Sequence, residues 1–426
     1  MLAIIPSKSY AHRAYICDFL AGGDGSGVVC DLDSDDIRAT RGCLDTLRNL
    51  YSFSGERLLA ISLDHGDSST DKKCGEGDPA CVLDCGESGS TLRFMLPLAG
   101  VLGADARFIT KGRLSERPLG ELESELIKHG MKIEHLNGGV ISVSGKLTPG
   151  TFRLPGSVSS QYITGLLLAL PHLDGDSRIE LTSKLQSSAY VDITIDVLKE
   201  YGIKIGSEDD EYTISGGQKY RREAPYVVEG DWSQAAFWLA AGVIGNSPVS
   251  ISGLNIDSVQ GDRRIIDVLR SFGARIEIEA SGNDNVVTVY PSNLKGTVVD
   301  VSGIPDLAPA IACAAAAAEG DTRLINAERL KLKESDRIAS IVDCLNDVGV
   351  KAEGTDSEII IHGCGHPAGG TAETAGDHRI VMMAAVLSLI TSGKVVINGS
   401  GAVSKSYPTF FREFERLGSM DNTVLR

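Results

Sequence analysis

A repeat of roughly seventy residues runs through nearly the whole chain, and it constrains the fold more than any other feature. A helix-like segment ends in glycine and leads into a short alternating strand at LIKHGMKIE (126–134), VLKEYGIKI (197–205), VLRSFGARIE (268–277) and CLNDVGVKAE (344–353). The glycines are Gly130, Gly202, Gly273 and Gly349, with Gly418 as a truncated fifth, at spacings of 72, 71, 76 and 69. One period earlier, Gly55 after CLDTLRNLYSFSG reads as a degenerate first copy. Glycine just past a helix end is a stop signal because it accepts positive φ without a Cβ clash.

A second series keeps step with the first. Polar residues open a small-residue helix in SKSYAHRAYICDFLAGG (from 7), SGSTLRFMLPLAGVLG (88), SVSSQYITGLLLALP (157), DWSQAAFWLAAGVIG (231), IPDLAPAIACAAAAAEG (304) and GDHRIVMMAAVLSLITSG (376). The steps are 81, 69, 74, 73 and 72. Six α/β units of strand–helix–strand–helix character therefore fill the chain, each far longer than an ordinary short repeat. If such units share a centre, their buried helices can point their N-termini one way. Each N-terminus is worth about 0.3–1 kcal/mol to a nearby anion, whereas a charged hydrogen bond from Arg or Lys contributes about 1.5–3 kcal/mol. Ser, Thr and Asp at such openings are explained by capping. Arg13, Arg93 and Arg379 are not, because a cation there opposes the helix dipole, and that cost points to an anionic ligand.

The densest charge cluster, Lys331-Leu332-Lys333-Glu334-Ser335-Asp336-Arg337, precedes an apolar helical face at Ile338, Ile341, Val342 and Leu345. Alone it would read as a solvated helix start. Beside the six other polar helix openings it reads as the rim of an anion site.

Length and composition exclude several classes. The 426 residues suit two or three domains, and a formal charge of -16 argues against a nucleic-acid surface, which needs basic stripes. A local cationic cluster still acts on a small anion, since surface charge is screened beyond about 8 Å. MLAIIPSKSYAHR lacks the plan of a signal peptide, and no run approaches the ~20 apolar residues of a membrane span. The run IACAAAAA (311–318) reads as a buried helix. Nine cysteines without paired metal spacing fit reduced thiols in the cytoplasm, and Cys74, Cys81 and Cys85 are not read as a metal cluster.

Eight ordered motifs, SKSYAHR, CGESGSTLRF, GRLSERPLGEL, GSVSSQYITGLLLALP, IPDLAPAIACAAA, KLKESDRI, GDHRIVMM and SKSYPTFF, together resemble the 5-enolpyruvylshikimate-3-phosphate synthase family over essentially the whole chain. The resemblance implies an α/β fold of two similar lobes, each of three βαβαββ modules around buried helices, the inverse α/β barrel of enolpyruvyl transferases. It implies that the lobes exchange chain near Pro6-Ser7 and Val228-Glu229, giving one lobe of 1–6 plus 229–426 and another of 7–228, with the site between them. The implied reaction moves the enolpyruvyl group of phosphoenolpyruvate to the 5-hydroxyl of shikimate 3-phosphate and releases phosphate. No organic cofactor, metal, nucleic acid or membrane is implied, and a cytoplasmic monomer is expected.

Carried over position by position, the shikimate 3-phosphate contacts are Lys8, Ser9, Arg13, Ser159, Ser160, Gln161, Ser187, Tyr190, Asp306 and Lys333. Those of phosphoenolpyruvate are Lys8, Gly89, Arg117, Gln161, Arg337, Arg379 and Lys405. Guanidinium groups suit carboxylate and phosphate alike, and Gly89 lets backbone approach closely. Lys8, Asp306 and Glu334 are the catalytic candidates, Asp306 for the hydroxyl proton and Glu334 for the proton at the methylene carbon. Asp306 also reads as a helix cap after Pro305. Glu87, Ser90, Arg93 and His378 are supporting residues, His378 as a structural hydrogen-bonding partner.

The sequence departs from the family at three places. Ser7 stands where glycine usually follows the proline, Glu87 where asparagine is common, and Arg329 near a position where asparagine can contact the substrate phosphate. Glu87 beside an anion site requires a cation, with Arg93 and Lys8 as the expected partners. These changes bear on substrate affinity and on the response to glyphosate-like inhibitors. Two alternatives stay open: the sister transferase acting on UDP-N-acetylglucosamine, whose mobile loop usually carries a cysteine absent from KGRLSERPLGEL, and a non-catalytic binding protein of the same shape.

Overall fold

The computed structural model describes residues 1–54, 57–60, 81–117, 119–281, 284–418 and 420–426. Gly55 and Cys74 therefore lie outside the described residues. In the first half of the chain the helices are α1 (Lys8–Leu20), α2 (Asp35–Leu50), α3 (Gly89–Leu102), α4 (Gly120–Lys128), α5 (Ser160–Ala169) and α6 (Ala189–Glu200). The second half has α7 (Trp232–Ile244), α8 (Ile265–Ser271), α9 (Ala308–Ala317), α10 (Arg337–Asp347), α11 (His378–Leu387) and α12 (Phe410–Arg416). All six small-residue openings found in the sequence are the odd-numbered helices. The glycine-terminated segments are the even-numbered ones. Gly130, Gly202, Gly273, Gly349 and Gly418 follow α4, α6, α8, α10 and α12 at φ of 107°, 77°, 96°, 90° and 71°.

The two helix series differ because their burial differs. Odd helices are buried on nearly every side, α9 (APAIACAAAA) from Ala308 to Ala316 and α11 throughout. Their small residues let them approach closely: a Cβ on Gly165 of α5 would stand 2.3 Å from the Arg93 carbonyl oxygen of α3. Even helices bury one stripe only, as α2 does through Ile37, Thr40, Cys43, Leu44 and Leu47.

Each complete unit is βαβαββ, with its sheet on the outer side of its odd helix. Cys81–Gly86 runs parallel to Ala106–Thr110, which pairs antiparallel with Val140–Ser144, which in turn pairs antiparallel with Lys132–Leu136. The same order recurs in the sheets that begin with Leu2–Ala3, Thr151–Pro155 and Val298–Asp300. Two leading strands come from the opposite half of the chain. Leu2–Ala3 pairs parallel with Val249–Leu254, and Tyr226–Val227 with Val28–Val29. The crossing segments are tied together where Ser7 N–H donates to Glu229 O at 2.7 Å and Asp231 N–H donates to Ile5 O at 3.0 Å.

Two hydrophobic cores result. One draws on residues from Tyr10 to Val228, and the other on residues from Trp232 to Phe414 with Leu2 and Ile4 packed against it. Among the described residues no helix is long and apolar enough to cross a membrane.

Glycine substitution separates the two helix series. Gly165→Ala should destabilise by about 1–3 kcal/mol through overpacking. Gly42→Ala, in α2 with nothing within 4 Å of the added Cβ, should stabilise by about 0.5–1 kcal/mol. Urea denaturation of the two variants checks both signs.

Candidate active site

The odd helices bring their N-terminal ends to one cavity of about 120 Å³. α1 supplies Lys8, Ser9 and Arg13, α3 supplies Ser90, and α5 supplies Ser160 and Gln161 with its cap Ser159. Asp306 precedes α9, and α11 opens with His378 and Arg379. α7 takes part indirectly: Asp231 accepts from Gln234 N–H of its own helix at 2.9 Å and from Lys8 N–H of α1 at 3.0 Å. One carboxylate thus caps two helices across the chain crossing.

Arg337 anchors the site. Its side chain is 1% exposed and donates to three carboxylates: Asp306 at 2.7 Å, Glu334 at 2.7 Å and Asp377 at 2.8 Å. Asp377 is fully buried and also accepts from Arg379 N–H at 2.9 Å and from Ser335 Oγ at 3.0 Å. Asp306 further receives the Tyr190 hydroxyl at 2.5 Å and faces Lys333 at 3.2 Å and Arg379 at 3.5 Å. Asp306 is no cap: α9 starts without a side-chain cap bond, and the carboxylate is committed to Tyr190 and the cations. Burial works to raise the Asp306 carboxyl, but Arg379, Lys333 and Arg337 outweigh it and hold it well below its ordinary range. Glu334 is likewise depressed, burial being overcome by Arg337 and Arg117. Asp262, behind the site, shows the opposite balance and is pushed up to about 6 by burial and the nearby Asp306 charge.

The residues named from the sequence fall into two groups. Lys8, Ser9, Arg13, Ser90, Arg117, Ser159, Ser160, Gln161, Tyr190, Asp306, Lys333, Glu334, Arg337, His378 and Arg379 line the cavity together. Gly89, Arg93, Glu87, Ser187 and Lys405 stand outside its lining. Gly89 has the end groups of Arg93 and Arg117 within 2.6 and 2.9 Å of where a Cβ would sit. Arg93 reaches the cavity through Gln161, donating to its Oε1 at 3.0 Å while Gln161 Nε2 donates to Ser90 at 3.0 Å. Ser187 faces a neighbouring cavity of about 750 Å³, and Arg329, which lines both, donates to its hydroxyl at 2.6 Å. Arg13 is held by Thr194, Thr164 and the carbonyl oxygens of Ser9 and Tyr190, so protein groups occupy much of its donor capacity.

Two further expectations are corrected. Glu87 pairs with Lys405 at 2.5 Å, while Lys8 pairs with Asp36 at 2.5 Å. His378 makes no hydrogen bond through either ring nitrogen among the described residues, and burial pushes its pKa down to about 3. It lines the cavity as a neutral ring, not as a hydrogen-bonding strut. Ser7 needs no glycine-like backbone, since its φ is -67°. Sequence reasoning missed Asp36 as the partner of Lys8 and Asp377 as the partner of Arg337. The DSDD run at 33–36 is a visible helix opening but carries no sign of which lysine it meets.

Seven cations line the cavity (Lys8, Arg13, Arg117, Arg329, Lys333, Arg337 and Arg379) against two carboxylates, Asp306 and Glu334. That excess suits a ligand carrying several negative charges, and guanidinium groups favour carboxylate or phosphate. Removing the anchor should expose its role in stability. Arg337→Met leaves one buried and two partly buried carboxylates without their shared cation, at a cost of about 3–5 kcal/mol at neutral pH. In the native protein the depressed carboxyls of Asp306, Glu334 and Asp377 stabilise above their unfolded pKa values near ~4, and that contribution is lost as pH falls through the folded values. The variant reverses the sign, so its deficit should narrow between pH 7 and 5 in urea titrations.

The family described as EPSP synthase (3-phosphoshikimate 1-carboxyvinyltransferase) matches this sequence over residues 1–414. Among curated relatives, the 3-phosphoshikimate 1-carboxyvinyltransferase of Clostridium kluyveri is 41% identical over 417 residues, covering 97% of this chain and 94% of the relative. That of Clostridium novyi is 39% identical over 426 residues, covering 98% and 94%. Among solved structures, EPSP synthase from Acinetobacter baumannii superposes with a TM-score of 0.72 at 26% identity, covering 97% of this chain and 94% of that one. The enolpyruvyl transferase NikO from Streptomyces tendae shares the fold, with a TM-score of 0.70 at 17% identity over 98% and 94%. With the motifs gathered at one cationic cavity and the match running almost end to end, this chain belongs to the EPSP synthase (3-phosphoshikimate 1-carboxyvinyltransferase) family.

Proposed function

We propose that this chain transfers the enolpyruvyl group of phosphoenolpyruvate to the 5-hydroxyl of shikimate 3-phosphate, releasing phosphate by addition and elimination through a tetrahedral intermediate. The observation that carries this reading is the single cavity where seven cations surround two carboxylates and a set of serines. Two phosphorylated acids require such a surplus of charge. The serines and Gln161 donate to phosphate without adding more.

The residue assignments extend the reading. Ser9, Arg13, Ser159, Ser160, Ser187, Tyr190 and Lys333 hold shikimate 3-phosphate, with Arg329 reaching the phosphate end beside Ser187. Arg117, Arg337, Arg379 and Lys405 hold phosphoenolpyruvate, with Gly89 admitting it to the backbone and Lys8 between the two substrates. Asp306 takes the 5-hydroxyl proton and passes it to the departing phosphate, while Glu334, which binds a proton once substrate anions share Arg337 and Arg117, gives that proton to the methylene carbon in addition and recovers it in elimination. Lys8 stabilises the developing charge. A carboxylate held by three cations is a weak base. Anions that draw Lys333, Arg337 and Arg379 toward themselves relieve Asp306 of part of that hold and raise its basicity.

The same reading assigns 1–6 plus 229–426 to one lobe and 7–228 to the other, which the two separate cores support. It also makes the protein a monomer and places it in the cytoplasm, a reducing compartment that suits the eight cysteines standing unpaired among the described residues.

Phosphate release from phosphoenolpyruvate with shikimate 3-phosphate, run beside UDP-N-acetylglucosamine, tests the reaction. Release with the first acceptor alone is expected, and release with the second alone would assign the chain to the sister activity. Asp306→Asn and Glu334→Gln should each lower kcat by about 10²–10⁴-fold. Because His378 is neutral above roughly pH 4 with its pKa near 3, it contributes no limb near pH 6.5. A pH–rate profile of His378→Gln should keep the native shape.

A further inference from the structure

Lys405 is the one cation assigned to phosphoenolpyruvate that an acidic side chain of the opposite core holds at hydrogen-bond distance away from the cavity lining. It ends a short 3₁₀ turn, Ser400–Lys405, in the C-terminal part of the chain. Its ammonium, on a side chain 13% exposed, donates to Glu87 Oε2 at 2.5 Å. Glu87 sits in the turn between Cys81–Gly86 and α3, so the pair joins segments that belong to the two different cores. The neighbouring Ser404 makes a parallel contact with Asp35 at 2.5 Å.

Each member of the pair has the other as its one ion-pair partner among the described residues. Lys111, the nearby lysine of the loop, is already bound to Asp84 at 2.7 Å. The Glu87 carboxyl lies against Gly112, where a Cβ would meet it at 2.7 Å, and nearly half of the side chain, 47%, is open to solvent. A pair so exposed adds little to stability. It still neutralises Lys405, and an arriving anion has to share or take that cation. Once displaced, the carboxylate remains beside the anion and repels it.

We infer that Glu87 is an internal counter-anion that holds Lys405 until phosphoenolpyruvate displaces it, so that Glu87 sets affinity for this substrate and not the rate of the chemical step. This rests on the synthase reading above. The position is read as a specificity determinant because the amide of a glutamine or asparagine would leave Lys405 free and add no repulsion.

The test is steady-state kinetics of the native protein, Glu87→Gln and Glu87→Asp, with both substrates varied, plus calorimetric titration of each protein with phosphoenolpyruvate alone. The expected result for Glu87→Gln is a KM for phosphoenolpyruvate lowered about two- to five-fold, the range an exposed ion pair commands, with kcat and the KM for shikimate 3-phosphate unchanged. Glu87→Asp, which keeps the charge, should stay near the native values. An unchanged KM for phosphoenolpyruvate, or a rise in both KM values together as from a lost inter-lobe latch, would overturn the inference. If the native protein turns over neither acceptor, the synthase reading fails by itself. The titration then still decides whether Glu87→Gln binds phosphoenolpyruvate more tightly.

Discussion

A guanidinium buried to 1% exposure and shared by three carboxylates is the contact on which the rest of the site depends. Burying one charge is costly, and burying Arg337 and Asp377 beside two partly buried carboxylates is tolerable only because they are paired and hydrogen-bonded. Arg337 places Asp306 before α9, Glu334 before α10 and Asp377 before α11 around a single point, so three consecutive segments are fixed relative to one another. The three carboxylates exceed its charge, and Lys333, Arg379 and Arg117 make up the difference. The cationic rim is therefore partly a consequence of the anchor. Side chains that would otherwise repel one another stand close because carboxylates lie between them.

This arrangement explains why basic residues open helices whose dipoles oppose them. At α11 the cap is Asp377, and Arg379 reaches back to the Asp306 backbone carbonyl at 2.9 Å. At α1, Arg13 lies over the Phe94 ring at 5.1 Å and bonds to α5 and α6 through Thr164 and Thr194. The unfavourable term of roughly 0.3–1 kcal/mol at a helix start is smaller than the charge-assisted hydrogen bonds each arginine gains. Small-residue helices are what make this possible. Only helices as thin as α5 and α9 can be buried side by side with their first turns meeting around one cavity.

The fold was largely legible because its punctuation is local. A glycine such as Gly202 or Gly349 takes positive φ wherever the helix before it ends, and Ser88, Ser159, Asp231 and Asp377 cap the helices they precede. Part of the candidate site was legible for the same reason, since Lys8, Ser90, Ser160, Gln161, His378 and Arg379 sit at helix openings, whereas Arg117 and Lys405 stand at the ends of 3₁₀ turns and came from the family resemblance alone. The pairings were not legible. Glu87 meets Lys405 across 318 positions, and Lys8 meets Asp36 rather than any residue of its own motif. Which carboxylate faces which cation depends on how units rotate against each other, and a one-dimensional pattern carries no record of that. His378 shows the same limit: its motif marks a helix start, but only the packed ring reveals that neither nitrogen makes a hydrogen bond among the described residues.

The internal pairings turn electrostatics into a route for coupling binding to chemistry. The two carboxylates proposed to exchange protons, Asp306 and Glu334, are held ionised and weakly basic by the cations an anionic substrate would seek. Each substrate anion that engages Lys333, Arg337, Arg379 or Arg117 removes part of that hold. The carboxylates therefore become better bases as the site fills, because the charge that suppressed them is now shared. Arg337 limits how far this proceeds. Its bond to the fully buried Asp377 gives it a partner no substrate reaches. Basicity then rises while the geometry of the anchor is preserved, and proton transfer is favoured where both substrates are in place.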